Sequence, residues 1–381
     1  MSVTDSDKLI ENLLNWYDES GRILPWREEP TPYHVWVSEI MLQQTRVEAV
    51  KGYYARFLEA FPTVYELASA EESLLLKMWE GLGYYNRVRN MQKAAVIIVE
   101  QYNGVLPDSY EELLGLPGIG EYTAAAISSI AYGKHQAVVD GNVFRVMTRI
   151  TADATDISQP SFKKKLAAEL NTCLNTYIER VRTEQTVNTT GGFSRPETEQ
   201  AVNLVNIPGR FNQAMMDLGA TVCTPSGMPK CSECPALDLC IAHKKEQVLL
   251  YPVKAKARPR TKVEMTVFLI RNGDRYVITK RGAKGLLAGM YEFPNVPSYY
   301  NEKECVDYVT ELGFYPLHVE PLPPAVHIFT HREWHMKAYE IRVSDWGEME
   351  FKKNLLPVTV EMMKTTYAIP SAFSPYLQRI I

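Results

Sequence analysis

Residues 116–127 read Leu-Pro-Gly-Ile-Gly-Glu-Tyr-Thr-Ala-Ala-Ala-Ile. A proline and two closely spaced glycines precede an alanine-rich helical run. Such a stretch is a tight hairpin feeding a helix, because glycine adopts turn conformations closed to other residues. At Gly118 and Gly120 the backbone can approach a ligand closely, and free N–H groups at the hairpin and helix start suit a phosphate. A helix–turn–helix joint without a ligand reads equally well from this stretch alone.

Downstream, residues 138–146 read Val-Val-Asp-Gly-Asn-Val-Phe-Arg-Val. An apolar run ends at Asp140 and a helix starts just after it. The bland reading is an Asp-Gly turn with Asn142 as helix cap. The functional reading is a carboxylate at the mouth of a helix, beside a phosphate-bound strand. Upstream, Glu39 interrupts the apolar helix His34-Val-Trp-Val-Ser-Glu-Ile-Met-Leu. There it is either a satisfied core residue, a solvent-facing one, or a buried acid whose raised pKa prepares it to donate a proton. Together Glu39 and Asp140 make the acid and anion that glycoside chemistry requires.

The 381-residue chain is long enough for two domains. Its first two-thirds carry helical periodicity over residues 8–17, 35–42, 48–61, 71–79, 89–102, 122–132 and 142–150. Residues 183–206 are polar and lack a clear period, which reads as a long loop. Residues 248–262 are short, basic and proline-containing, as a linker is, with Lys254, Lys256, Arg258, Arg260 and Lys262 uninterrupted by an acid. Beyond it VEMTVFLI, YVITKR and KAYEIRV read as strands and residues 302–312 as a helix, an α+β domain over 263–381. The net charge of −4 argues against wholesale polyanion binding, although the distribution of charge matters more. The N-terminus lacks the basic start of a signal peptide, and no apolar run is long enough for a bilayer. The expectation is a cytoplasmic protein, nucleoid-associated if bacterial, with no membrane partner.

Four of the six cysteines crowd one segment as C-x7-C-x2-C-x5-C: Cys223, Cys231, Cys234 and Cys240. Clustered cysteines without a secretion signal suggest metal before disulfides. Four nearby thiolates enclose one iron–sulfur cluster or one zinc. Zinc sites more often show two C-x-x-C pairs and only one is present, which favours the cluster.

The combination of LPWR, VSEIMLQQTRV, GLGYYNRVRN, LPGIGEYTAAA, VVDGNVFRV, FNQAMMDLGATVC and the cysteine loop resembles the adenine DNA glycosylase (MutY) family of the helix-hairpin-helix DNA glycosylase superfamily. The likeness spans nearly the whole chain. It implies a mainly α helix-hairpin-helix catalytic domain over 1–247 with a [4Fe-4S] cluster on the four cysteines, and a Nudix-like 8-oxoguanine recognition domain over 263–381. The implied activity is monofunctional hydrolysis of adenine from double-stranded DNA, where adenine lies opposite 8-oxoguanine or guanine, by a monomer. By the same likeness Asp140 is the anion facing the oxocarbenium-like sugar, Glu39 the acid that protonates adenine, and Tyr122 and Asn142 their supports. Arg22, Leu24, Trp26 and Arg27 wall the adenine pocket, and Gln213 reads the adenine edge. Gln44 and Tyr84 enter the DNA stack. The second domain's likeness rests on GLLAGMYEFP and HIFTHREWHMKAY, in which Phe329, Thr330 and His331 sense the oxidised base.

Tyr122 separates relatives. Bifunctional members such as endonuclease III carry lysine at this position of the hairpin motif, and tyrosine cannot form a Schiff base. The chain departs from the family at three places. The gap between Cys223 and Cys231 is one residue longer than usual, threonine replaces serine at Thr330, and residues 183–206 form a longer stretch. Three rival readings remain: an endonuclease III-like glycosylase/lyase, disfavoured by Tyr122 and the second domain; a catalytically inactive DNA-binding protein, disfavoured by both carboxylates; and a nucleotide hydrolase, disfavoured because ECVDYVTELGF lacks a glutamate-rich metal-binding helix.

Overall fold

Pro32 and Thr31 open the helix that decides where Glu39 sits. Thr31 caps helix Pro32–Leu42 by accepting from the His34 N–H at 3.2 Å, and Pro32 occupies the first turn, where its missing N–H costs nothing. The helix is apolar nearly all round, and Tyr33, Val35 through Met41 are all buried. A helix of that composition belongs in the middle of a helical domain. The computed structural model describes residues 2–190, 206–255, 259–346 and 354–380.

Two compact units make up the chain: Met1–Ala55, Thr63–Ala68 and Lys93–Lys256 form the first, and Arg56–Pro62, Ser69–Gln92 and Ala257–Ile381 the second. The first unit is helical. Helix Tyr110–Leu114 and helix Glu121–Ala126 flank the glycine hairpin, whose Gly118 has a φ of 79°, a conformation that favours glycine. The expected helix over 122–132 begins as α but becomes a π-helical turn over Ile127–Ala131. Among the helices that went unread in the sequence, two are long. Pro160–Thr190 extends into the stretch read as a loop, so residues 183–190 are helical, while 191–205 lie outside the described residues. Ile207–Thr221 packs on helix Gly141–Thr151 so closely that a Cβ on Gly219 would lie 2.5 Å from the Asn142 Cβ.

Among the described residues, the second unit centres on a seven-stranded mixed sheet. Strand Thr261–Asn272 pairs in parallel with Arg332–Val343 and antiparallel with Arg275–Lys280. Residues such as Val267 and Leu269 point to one core, and Phe268 and Ile270 to another, as the two-residue period of a strand requires. Strand Pro316–Ile328 escaped the sequence reading because it holds Pro316, Pro321, Pro323 and Pro324. It lies at the sheet edge, where proline is tolerated, and its register shifts between Leu322 and Ala325, across the Pro-Pro pair.

Residues 69–92 join this unit through specific bonds. Lys77 Nζ donates to the Met363 and Tyr367 carbonyls, Glu80 accepts from the Ile369 N–H, and Arg89 Nη2 donates to the Ala288 carbonyl at 2.7 Å. Chain order alone gives no hint of this grouping. Lys256 and Arg258 of the basic stretch lie outside the described residues. Among those residues no helix is long and apolar enough to cross a membrane.

Candidate active site

Asp140, rather than Asn142, caps helix Gly141–Thr151: its carboxylate accepts from the Val143 N–H at 2.7 Å. Asn142 Nδ2 donates to the other oxygen at 2.8 Å. Burial pushes the Asp140 carboxyl above its ordinary value, while these two bonds and the Arg145 charge pull the other way. Arg145 continues the chain of contacts. It donates to Asn142 Oδ1 at 2.7 Å, to the Gly219 carbonyl at 2.7 Å, and to the Cys223 carbonyl at 2.7 Å. The strand-like segment that delivers Asp140 is pinned by Asn212, which accepts from the Val138 N–H and donates to the Gln136 carbonyl and Ser129 Oγ.

Glu39 is buried, with 5 % exposure, and accepts a hydrogen bond from the Tyr122 hydroxyl at 2.6 Å. Burial lifts its pKa to about 7; the Tyr122 bond opposes that, the nearby Asp140 charge adds to it, and Arg27 opposes it. The Tyr122 phenol is held well above its ordinary value by burial and by the two carboxylates, so it stays protonated and donates. Of the three readings that the sequence leaves open for Glu39, this burial excludes the solvent-facing one.

A cleft opens beside Glu39 and Tyr122. Arg22, Leu24, Trp26, Arg27 and Gln213, all expected in a base pocket, line it. Trp26 and Leu24 supply apolar wall, with Trp26 held edge-on to Tyr54 at 5.5 Å. The π-helical turn contributes Ile130. Two residues that organise this wall were not singled out in the sequence: Asp217, which binds both arginines, and Tyr17, whose hydroxyl donates to Gln213 Oε1 at 2.9 Å; nor was Asn212, which pins the segment before Asp140. Asp217 lies one helical turn after Gln213, a spacing that puts both on one face and was available as a signal.

Gln44 is exposed with a φ of 60°, and Tyr84 is 51 % exposed with a φ of 49°. Left-handed backbone is unusual for either residue type and marks both positions as constrained. Gln44 belongs to the first unit and Tyr84 to the second. A Cβ on Gly120 would meet nothing within 4 Å, so the hairpin's second glycine borders open space.

Within the second unit, Phe329, Thr330 and His331 form the turn between strands Pro316–Ile328 and Arg332–Val343. Phe329 packs on His327 and Trp334 at centroid distances of 4.6 and 4.8 Å, while Thr330 and His331 are exposed. The Thr330 hydroxyl hydrogen-bonds the Tyr84 hydroxyl at 2.6 Å.

Cys223, Cys231, Cys234 and Cys240 all line one cavity, and none forms a disulfide. Arg149 Nη1 donates to Cys223 Sγ at 3.2 Å, and Cys240 Sγ lies 3.4 Å from the Arg149 carbonyl. Burial, and then the neighbouring thiols, raise the pKa of the Cys234 thiol to about 12. Among the described residues no group of three or more His, Cys, Asp or Glu is gathered tightly enough to share a single metal ion. Four thiols around one apolar-walled cavity with an arginine beside it are a donor set that fits an iron–sulfur cluster.

Comparison with known proteins bears on this geometry. Residues 37–172 match the HhH-GPD superfamily base excision DNA repair protein family, and residues 266–379 match the NUDIX domain. The chain is 32 % identical to the adenine DNA glycosylase of Rattus norvegicus, over 89 % of this chain and 71 % of that one. It is 34 % identical to the adenine DNA glycosylase of Buchnera aphidicola subsp. Baizongia pistaciae, over 74 % of this chain and 72 % of that one. Among solved structures, a thermostable thymine-DNA glycosylase superposes with a TM-score of 0.50 at 25 % identity, covering 64 % of this chain and 100 % of that one. A helical unit that matches the HhH-GPD family, a second unit that matches the NUDIX domain, and at least 32 % identity to these adenine DNA glycosylases over most of the chain place it in the adenine DNA glycosylase family, DNA N-glycosylases of base excision repair.

Proposed function

We propose that this enzyme removes adenine opposite 8-oxoguanine, or opposite guanine, from double-stranded DNA and leaves an abasic site without cutting the strand. The observation that carries this reading is the Tyr122–Glu39 bond of 2.6 Å with Asp140 nearby: an acid, its hydrogen-bond partner and an anion on three different elements. The target adenine leaves the stack, at a cost of a few kcal/mol by order of magnitude, and enters the cleft lined by Leu24, Trp26, Arg22, Arg27 and Gln213. Glu39 donates its proton to the departing base. Asp140 faces the positive charge that develops on the sugar, where a fixed anion in a water-poor site is most effective. Water completes the reaction. Tyr122 keeps its proton and holds Glu39 in place, and it offers no amine for a covalent adduct.

Gln44 and Tyr84 are assigned to filling the stack, and Gly118 and Gly120 to holding the DNA backbone. We assign residues 1–247 to catalysis, 248–262 to a basic linker and 263–381 to recognition. Phe329, Thr330 and His331 then read the oxidised base, with Tyr84 beside them. Cys223, Cys231, Cys234 and Cys240 would hold a [4Fe-4S] cluster, which when bound staples the loop 223–240 and brings a redox-active centre. Gly227, with a φ of 70° in the 223–231 gap, lets the longer loop turn. The protein is assigned as a monomer. Duplexes carrying adenine opposite 8-oxoguanine, adenine opposite guanine, and thymine glycol, assayed separately for abasic sites and strand scission, test the reading. Strand scission on thymine glycol in place of adenine release would contradict it.

A further inference from the structure

Asp217 is fully buried, yet it accepts five hydrogen bonds, all from two arginines. Arg22 contributes its backbone N–H at 2.9 Å, Nε at 2.8 Å and Nη2 at 2.6 Å. Arg27 contributes Nη1 and Nη2, both at 2.8 Å. Burial alone would push the Asp217 carboxyl up, but Arg27 and then Arg22 outweigh it and hold the group below its ordinary value. It is therefore an anion. Two guanidinium cations on one carboxylate leave an excess of one positive charge beside the cleft.

That charge has an address. Arg22 and Arg27 line the same cleft as Glu39 and Gln213, and Arg27 acts on Glu39 through its field. The arrangement closes on itself. The Arg27 guanidinium lies 5.6 Å from the Tyr17 ring centroid, Tyr17 donates to Gln213, and Gln213 stands one turn before Asp217 on helix Ile207–Thr221. The other polar groups facing Glu39 are Tyr122 from helix Glu121–Ala126 and Asp140 ahead of helix Gly141–Thr151; the adjoining turn Ile127–Ala131 bears no charge. Arg27 is thus the cation whose field reaches Glu39, and Asp217 holds it.

The geometry points to Asp217 as a positioning residue for base excision: by seating Arg22 and Arg27 on one buried carboxylate, it fixes the wall of the base pocket and sets the net charge that Glu39 meets. This inference rests on the reading of Glu39 as proton donor. Asp217 touches neither the cleft nor the reacting bond and acts through the arginines.

The test is the pH profile of single-turnover adenine excision by the full-length protein. If Glu39 must be protonated, the rate falls as pH rises through its pKa. Asp217→Asn removes a negative charge, leaves two cations near Glu39 and favours its carboxylate, so the fall should move to lower pH by about half a unit or more. Arg27→Gln removes a positive charge and should move it to higher pH. Asp217→Glu keeps the charge and should keep the midpoint. Opposite displacements from the first two variants are outside the reach of a merely structural role. If Asp217→Asn does not fold, Arg27→Gln still decides, because an unmoved midpoint there contradicts the inference. Midpoints of Asp217→Asn and Arg27→Gln at the wild-type value, or displaced in the same direction, overturn it. Glu39→Gln separates the two levels: if it is inactive while those midpoints stay put, only the role of Asp217 fails, and if it retains the wild-type rate, the proton-donor reading fails as well.

Discussion

The Tyr122 hydroxyl donates to Glu39 Oε2 at 2.6 Å, joining the first turn of the hairpin's second helix to a carboxyl in the middle of a buried one. That bond favours the charged form of Glu39, against a burial that favours the neutral one. Tyr122→Phe removes only the hydroxyl. The Glu39 pKa should rise above about 7, so excision should persist to higher pH than in the wild type. A pH–rate profile with its alkaline limb unmoved, or moved down, would mean that the bond does not tune Glu39.

Stability gives a second reading of the same carboxyl. Its pKa is lifted from 4.5 to about 7 on folding, so it favours the fold below pH 4.5, and this advantage is lost as pH rises through about 7. At about 1.4 kcal/mol per pH unit the loss is on the order of 3 kcal/mol by pH 8. Glu39→Gln carries no such titration. Its Tm should exceed that of the wild type by more at pH 8 than at pH 5, and a constant difference across that range would contradict the buried, proton-bearing state.

How much of this was legible depended on the range of the interactions. Periodicity exposed helix Gly141–Thr151 and strand Thr261–Asn272, because each buries a regular face. Strand Pro316–Ile328 was hidden by four prolines that only an edge position permits. Glu39 and Asp140 stood out as acids among apolar neighbours. Asp217 did not, because its significance lies in Arg22 and Arg27, 195 and 190 residues away along the chain. The pairing of Tyr84 with Thr330 spans 246 residues and has no local trace.

The cysteine cavity leads to an analytical expectation. The protein purified without oxygen should be yellow-brown, with iron and acid-labile sulfide in equal amounts, about four of each per chain. Cys223→Ala, at the long end of the C-x7-C gap, should lower both. Stoichiometric zinc without iron would contradict the assignment, and full iron content in Cys223→Ala would remove that residue from the ligand set.

For lesion reading, point variants in the full chain are preferable to truncation, since residues 69–92 share the compact unit of residues 257–381. Thr330→Ala and Tyr84→Phe each remove one hydroxyl from the 2.6 Å pair. Each should lower the preference for adenine opposite 8-oxoguanine over adenine opposite guanine, by the roughly 0.5–1.5 kcal/mol that a net hydrogen bond contributes. Equal losses on both duplexes, leaving the ratio of rates fixed, would make the pair a structural contact alone.

The most direct measurement is single-turnover adenine release from a duplex with adenine opposite 8-oxoguanine, comparing wild type, Asp140→Asn and Glu39→Gln. Asparagine still caps helix Gly141–Thr151 and glutamine still fills the Glu39 site, so folding and DNA binding should hold. The wild type should yield abasic sites with no strand scission and no adduct trapped by borohydride. Both variants should be slower by roughly a hundredfold or more, as expected for loss of a positioned proton donor or of a fixed charge at the transition state. Adenine release at near wild-type rate by either variant, or a strong trapped adduct in the wild type, would contradict the assignment of Glu39 and Asp140 as the acid and the anion of a hydrolytic glycosylase.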